Sequence, residues 1–246
     1  MVHWLAAVHW LAAAHWLAAR HPLGCTYPRD VARTPDSPAA PRVSNPDIPA
    51  RLGNAVAARS ADLLADRLDL SGRVDLAYAS LEQCVVAADA DSVDLVGATI
   101  LDVDMTDVRI ASLSLRNAGI RRLRITGGRI GTLDLSGARI DELEMRDVRI
   151  DYLNLGGAKG TDMLIAHSTI RTLDMPQAQL VRVLFEDCRS DEVDPRGLRA
   201  TDVDLRGLDA MSYVDTNGLK GVTLTGHQVQ LLAPALATGV GIRVQD

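Results

Sequence analysis

Aromatic side chains are nearly absent: the 246 residues contain a single phenylalanine, Phe185, and aromatics make up 3% overall. A core with so few rings must rest on Leu, Ile, Val, Met and Ala. Cysteine is equally scarce. Cys25, Cys84 and Cys188 are odd in number and widely spaced, which argues against a disulfide framework and fits reduced thiols in a cytoplasmic protein. An excess of positive charge is missing too. The net charge of -6 argues against direct nucleic-acid or anionic-membrane binding and disfavours acidic partners. Catalytic signatures are absent as well: there is no G-x-S-x-G elbow, no phosphate-binding G-x-x-x-x-G-K-(S/T), no HExxH and no cysteine pair at zinc spacing. A protein that is not an enzyme and carries no cofactor is expected.

What is present is a beat. Ile100, Ile110, Ile120, Ile130, Ile140, Ile150 and Ile170 recur at ten-residue intervals, and Leu113, Leu123, Leu133, Leu143, Leu153 and Leu173 keep a second series. A helix repeats every 3.6 residues and a strand every two, so neither alone produces this pattern. A repeat architecture does. Written in fives, the units include Leu133-Asp134-Leu135-Ser136-Gly137, Ala138-Arg139-Ile140-Asp141-Glu142 and Leu143-Glu144-Met145-Arg146-Asp147. Their first and third positions point inward. Leucine-rich repeats and hexapeptide β-helices fail on period.

These units resemble the pentapeptide-repeat family over about residues 68–217. The resemblance implies an all-β solenoid, a right-handed quadrilateral β-helix of twenty residues per coil, with short N- and C-terminal capping helices. The family often carries Phe at the central position, whereas here only Phe185 does so. Every second unit supports the twenty-residue coil. One series ends in Gly97, Asn117, Gly137, Gly157, Gln177 and Gly197, and another in Asp107, Gly127, Asp147, His167, Asp187 and Gly207. Gly, Asn, Asp and His best tolerate positive φ, so these two sides are expected to turn through a left-handed residue. The intervening sides end in Asp102, Arg122, Glu142, Asp162 and Arg182, which predicts a second turn type alternating with the first. Weak rungs are expected at Gly128, Gly160 and Ser168, where an inward position lacks a large side chain. Before Val93 the pattern stutters, and Asp89 to Ser92 is one residue short.

The flanks divide the chain further. Residues 1–21 repeat Val-His-Trp-Leu-Ala-Ala and read as low-complexity sequence outside the fold. Residues 22–50 hold most of the prolines and read as a linker. The Ala-rich segment 51–67, with Leu52, Val56, Leu63 and Leu64, predicts an N-terminal helical cap. The β-helix follows over 68–222. Thr225 and Gln228 have capping-box spacing ahead of Val229, Leu231 and Leu232, so 223–246 should hold a C-terminal helix, with Ile242 to Val244 as a last strand.

Stacked coils turn the sequence into columns. Asp94, Asp134 and Asp174 share one outward column, Arg109, Arg129 and Arg149 another, and Leu164 and Leu184 suggest an apolar patch. These residues are the candidate interaction surface. Asp and Asn at the second position have an ordinary alternative role, bonding to nearby backbone. Asp147, His167 and Asp187 lie on one turn column and could offer oxygen and nitrogen ligands to a metal, although the turn alone accounts for them and no metal is expected. The role expected is a protein-interaction or scaffold module with an unknown protein partner. The alternative implied by the family resemblance is a DNA mimic that binds DNA gyrase and protects or inhibits it, as a homodimer through the C-terminal helix. The Asp column favours that alternative and the Arg column opposes it.

Overall fold

Inward Ile, Leu, Val and Met fix the register of the strands. A computed structural model describes residues 37–245; the Val2 to Ala19 repeat, Cys25 and residues 22–36 lie outside that span. The first strands are β1 (Asp62–Leu64), β2 (Arg67–Asp75), β3 (Ser80–Asp94), β4 (Thr99–Ser114) and β5 (Gly119–Asp134). The next are β6 (Arg139–Arg146), β7 (Arg149–Asn154), β8 (Lys159–Ala166), β9 (Thr169–Asp174) and β10 (Gln179–Glu186). β11 (Cys188–Asp194), β12 (Arg199–Asp204), β13 (Leu208–Tyr213) and β14 (Val222–Thr223) complete the sheet. All pair in parallel. Ile100 sits over Ile120, Ile140, Gly160, Leu180 and Ala200 in turn, and Leu113 over Leu133, Leu153, Leu173 and Val193. Each step is twenty residues, so the ten-residue beat is half a coil. β4 and β5 run through two corners without losing their pairing.

The first coils are shorter. Leu68 faces Val86 and Leu81 faces Ile100, but from Asp89 onward the partner is twenty residues away, at Arg109. The residue missing from the Asp89 to Ser92 region is absorbed between Val86 and Asp89, where the register shifts. Inward pairs are buried throughout, including Leu68, Leu81, Cys84, Val103, Met145, Phe185 and Val203. Each such aliphatic contributes about 1.5–3 kcal/mol through burial.

Two of the three weak rungs are compensated. A methyl group on Gly160 would lie 2.5 Å from Met163 Sδ and 3.0 Å from Leu180 Cδ2, so those side chains already fill the space. Ser168 is buried with both hydrogen-bonding functions used: its hydroxyl donates to the Ala166 carbonyl (2.8 Å) and accepts from the Val148 N–H (3.1 Å). Gly128 serves the backbone. Its φ is +93°, and an added Cβ would fall 2.1 Å from the Val108 carbonyl oxygen of the neighbouring coil.

Three expectations are corrected. First, residues 51–67 form no helix. Gly53 bridges Asp66, its N–H donates to the Ala65 carbonyl and its carbonyl accepts from Arg67 N, while β1 pairs with β3. The unpaired edge of the first coil claims this backbone, and that demand overrides the helix propensity of alanine. Second, the left-handed corners are not limited to two series. Asp102, Arg122, Glu142, Asp162, Arg182 and Asp202 all have φ between 52° and 68°, so three of the four corners share the conformation. Third, Ile242 to Val244 forms no strand and is exposed. The end of the sheet is taken by β14, which pairs with β12.

The C-terminal helix is present as expected. Helix α1 (Gly226–Gly239) opens with the Thr225 and Gln228 capping box. The Gln228 amide then donates to the Leu205 and Leu208 carbonyls, tying the helix to the last coil. No helix among the described residues is long and apolar enough to cross a membrane.

Candidate interaction faces

On each coil four outward second positions project from four flat sides, and their chemistry follows from what the neighbouring backbone needs. The Asp column is engaged. Asp94 accepts from the Val96 N–H (2.9 Å), Asp134 from Ser136 (3.0 Å), Asn154 from Gly156 (2.8 Å) and Asp194 from Arg196 (3.1 Å). In every case a side-chain oxygen reaches the amide two residues on and holds the turn that begins the next side. The same bond recurs at Asp75 and Asp204. At Asp94, Asp134, Asn154 and Asp194 the turn-closing side chain, the left-handed glycine three places on and the inward pair form one five-residue unit.

This is a parallel β-solenoid built from five-residue units. No family model matches the sequence, and no curated protein does. Solved structures that it resembles include two trypsin-treated variants of QnrB1, described as a plasmid-mediated fluoroquinolone resistance protein. The first is 13% identical, with 76% of this chain and 100% of that chain covered and a TM-score of 0.26. The second is 15% identical, with 78% and 94% covered and a TM-score of 0.24. A third is HetL, a pentapeptide repeat protein involved in heterocyst differentiation regulation from the cyanobacterium Nostoc, at 16% identity, 68% and 88% coverage and a TM-score of 0.17. The β-solenoid fold is carried by the chain's own twenty-residue register.

Within the solenoid, Asp174 departs from its column for a chemical reason. The residue two places on is Pro176, which has no N–H to give. Asp174 instead accepts from the Tyr152 hydroxyl of the coil before it, at 2.6 Å. That bond, with burial and nearby carboxylates, pushes the Tyr152 phenol up to about 12.

The Arg column behaves differently. Arg109, Arg129, Arg149 and Arg189 are all exposed. Arg129 meets Asp151 at 2.8 Å and Arg189 approaches Asp209 at 3.6 Å, both in largely solvated pairs. Surface pairs of this kind hold their partners weakly. The two charged columns predicted from sequence therefore differ in kind: the carboxylates are half-buried turn elements, and the guanidinium groups are available.

The apolar patch does not form. Leu164 is 7% exposed and Leu184 is half-buried. They stack directly on each other, with Glu144 before them and Asp204 after them in the same register. Little of either leucine reaches solvent.

Asp147, His167 and Asp187 sit at consecutive left-handed corners, with φ of 56°, 49° and 48°. His167 Nδ1 lies 3.5 Å from Asp187 Oδ2, and both side chains are exposed. Among the described residues no group of three His, Cys, Asp or Glu is placed to hold a metal ion. The first turn of α1 adds His227 to the cleft lined by His167, Asp187, Arg189 and Asp209; sequence spacing gave no sign of this approach. Cys84 and Cys188 are buried, and burial pushes both thiols up, away from the reactive thiolate.

One arrangement escaped the sequence reading. At the second corner, the one formed by residues 102, 122, 142, 162 and 182, Arg122 clasps Asp102 through Nε–Oδ1 (2.5 Å) and Nη2–Oδ2 (2.6 Å). Arg182 clasps Asp162 in the same way at 2.7 and 2.6 Å. Both aspartates are buried, at 3% and 6% exposure. The signal lay in opposite charges twenty residues apart, at Asp102 and Arg122 and again at Asp162 and Arg182.

Proposed function

We propose that this solenoid is a non-catalytic protein-interaction module whose contact surface is the side carrying Arg109, Arg129, Arg149 and Arg189. The observation behind this reading is the contrast between columns: half-buried Asp94 and Asp134 and buried Asp194 hold turns, while the arginines are exposed. At about 4.8 Å per coil, the four guanidinium groups form a row about 19 Å long. That is the scale of one face of a protein partner, with charge supplying orientation and on-rate. The test is affinity capture from the native cell, comparing the natural chain with Arg109→Glu, Arg129→Glu and Arg149→Glu combined. The combined variant should fold and lose the partner. Identical captured sets would reject the reading.

The second reading is a DNA-like rod that binds DNA gyrase. The net charge of -6 favours it, and QnrB1 is a fluoroquinolone resistance protein. The engaged Asp column and the exposed Arg column both weigh against a continuous negative face. A gyrase supercoiling assay with and without a quinolone discriminates, because a lack of effect at high protein excess removes this reading. Homodimerisation through α1 belongs to the same reading. It is favoured by an α1 with no buried residue and by exposed Val229 and Leu231, and sedimentation would measure it.

A further inference from the structure

Residues 38–49, four of them proline, carry no helix or strand and lie along the second corner of the solenoid. Three backbone N–H groups bind carboxylates there. Arg42 donates to Asp162 Oδ1 (2.9 Å), Ser44 to Glu142 Oε2 (3.1 Å) and Asp47 to Asp102 Oδ1 (2.9 Å). The Ser44 hydroxyl also donates to Glu142, and Arg124 Nη1 reaches Asn45 Oδ1 at 2.8 Å. Pro46, between the second and third donors, is buried. This segment, read from composition as a free linker, is an arm crossing the coils at right angles to the strands.

The spacing explains the fit. Arg42 to Asp47 is five residues, which in an extended proline-type chain span about 15 Å. Asp162 to Asp102 is three coil steps, or about 14 Å. An extended peptide is thus nearly commensurate with the column, with donors at intervals of two and three residues meeting acceptors at intervals of one and two coils. Pro46 falls between the Ser44 and Asp47 donors, and Pro41 stands just before the first. The two buried aspartates each keep one oxygen with spare capacity after the neighbouring Arg has bound, and that oxygen takes the arm. Direction is set by charge: Arg42 lies near Asp162, and Asp47 lies near Arg122.

From this we infer that the Asp102, Glu142 and Asp162 column is a recognition site for an extended, proline-punctuated peptide, filled in cis by the chain's own arm. An external peptide of the same chemistry enters only by displacing it. The site lies at the corner between the second and third sides and does not depend on the Arg side proposed above as the contact surface.

The test uses the full chain. A fluorescein-labelled peptide of residues 38–49 is titrated by anisotropy against the natural chain and against one carrying Arg42→Pro, Ser44→Pro and Asp47→Pro. Proline removes the three donor N–H groups, keeps the arm extended and leaves every coil residue unchanged. The peptide should bind the triple-proline chain saturably and the natural chain at least about tenfold more weakly, because a tethered arm competes at millimolar effective concentration. Adding Asp102→Gly and Asp162→Gly to the triple-proline chain should abolish binding, with circular dichroism confirming an intact sheet. A triple-proline chain that ignores the peptide, or a natural chain that binds it equally well, overturns the inference. So does a natural chain that sediments as a dimer and becomes monomeric with the three prolines, since the occupant would then be a second copy's arm.

Discussion

Arg122 lies one coil beyond Asp102 and closes two parallel hydrogen bonds on its carboxylate, leaving Oδ1 shared with the Asp47 N–H. Asp102 does this from a left-handed backbone, φ 55°, so removing its side chain has two opposing effects. Loss of the charged hydrogen bonds costs stability, and relief of the strained φ returns some. Asp102→Gly should lower stability by about 1–2 kcal/mol. Asp102→Ala, which keeps the strain, should lower it by about 1 kcal/mol more. Urea denaturation of the two variants would check the order; equal midpoints would show that the corner strain is negligible.

The same corner predicts a pH dependence. Burial pushes the Asp102 carboxyl up, but the Arg122 hydrogen bonds and the Asp47 N–H outweigh it and hold the group below its ordinary value. Asp162 is likewise held low, first by Arg182 and then by the Arg42 N–H. A carboxyl depressed in the folded state contributes stability above its unfolded value, about 3.9, and loses it as pH falls through the lower folded value. Stability should therefore decline below about pH 4, and less steeply when both residues are Gly. Melting curves from pH 7 downward measure this, and parallel acid limbs would contradict it.

At the opposite end of the scale, Tyr152 donates to Asp174 because Pro176 cannot. Its phenol, raised to about 12, contributes stability below pH 10 that disappears as pH rises through 12. Tyr152→Phe should cost about 1 kcal/mol at pH 7 and remove one of the two late-ionising tyrosines among the described residues from an ultraviolet tyrosinate titration, leaving Tyr213, whose phenol burial also pushes up to about 12. An unchanged titration would place the Tyr152 hydroxyl in solvent.

Glycines at left-handed positions are not equivalent. A Cβ on Gly128 would meet the Val108 backbone at 2.1 Å, whereas one on Gly157 would meet nothing within 4 Å. Gly128→Ala should therefore destabilise by at least about 2 kcal/mol, and Gly157→Ala by about 1 kcal/mol. Gly157→Asn should be milder still, since Asn117 holds the equivalent corner two coils earlier with φ 56°. Thermal melts would rank the three.

The coil was legible because one physical demand, filling the interior, repeats at most inward positions from Val93 to Val203. The turn chemistry was legible for a similar reason: Asp and Asn at the second position bond two residues along, within the unit where they are read. Segment 51–67 was misread because alanine composition reports helix propensity but not the needs of an unpaired strand edge beside it. The arm was invisible for a different reason. Its partners lie 55 to 120 residues away, and a proline-rich stretch has the same composition whether free or clamped. His227 likewise depends on which helix end falls alongside.

The claim that outward charges serve the backbone before they serve a partner is tested most directly by residue-resolved amide hydrogen exchange on the full chain. The Arg42 and Asp47 amides should be protected in the natural protein. In Asp102→Gly, Asp162→Gly that protection should fall about tenfold or more while the Ile120 and Leu133 strand amides keep theirs. Arm amides that exchange freely in the natural protein, or stay protected after both carboxylates are removed, would contradict it.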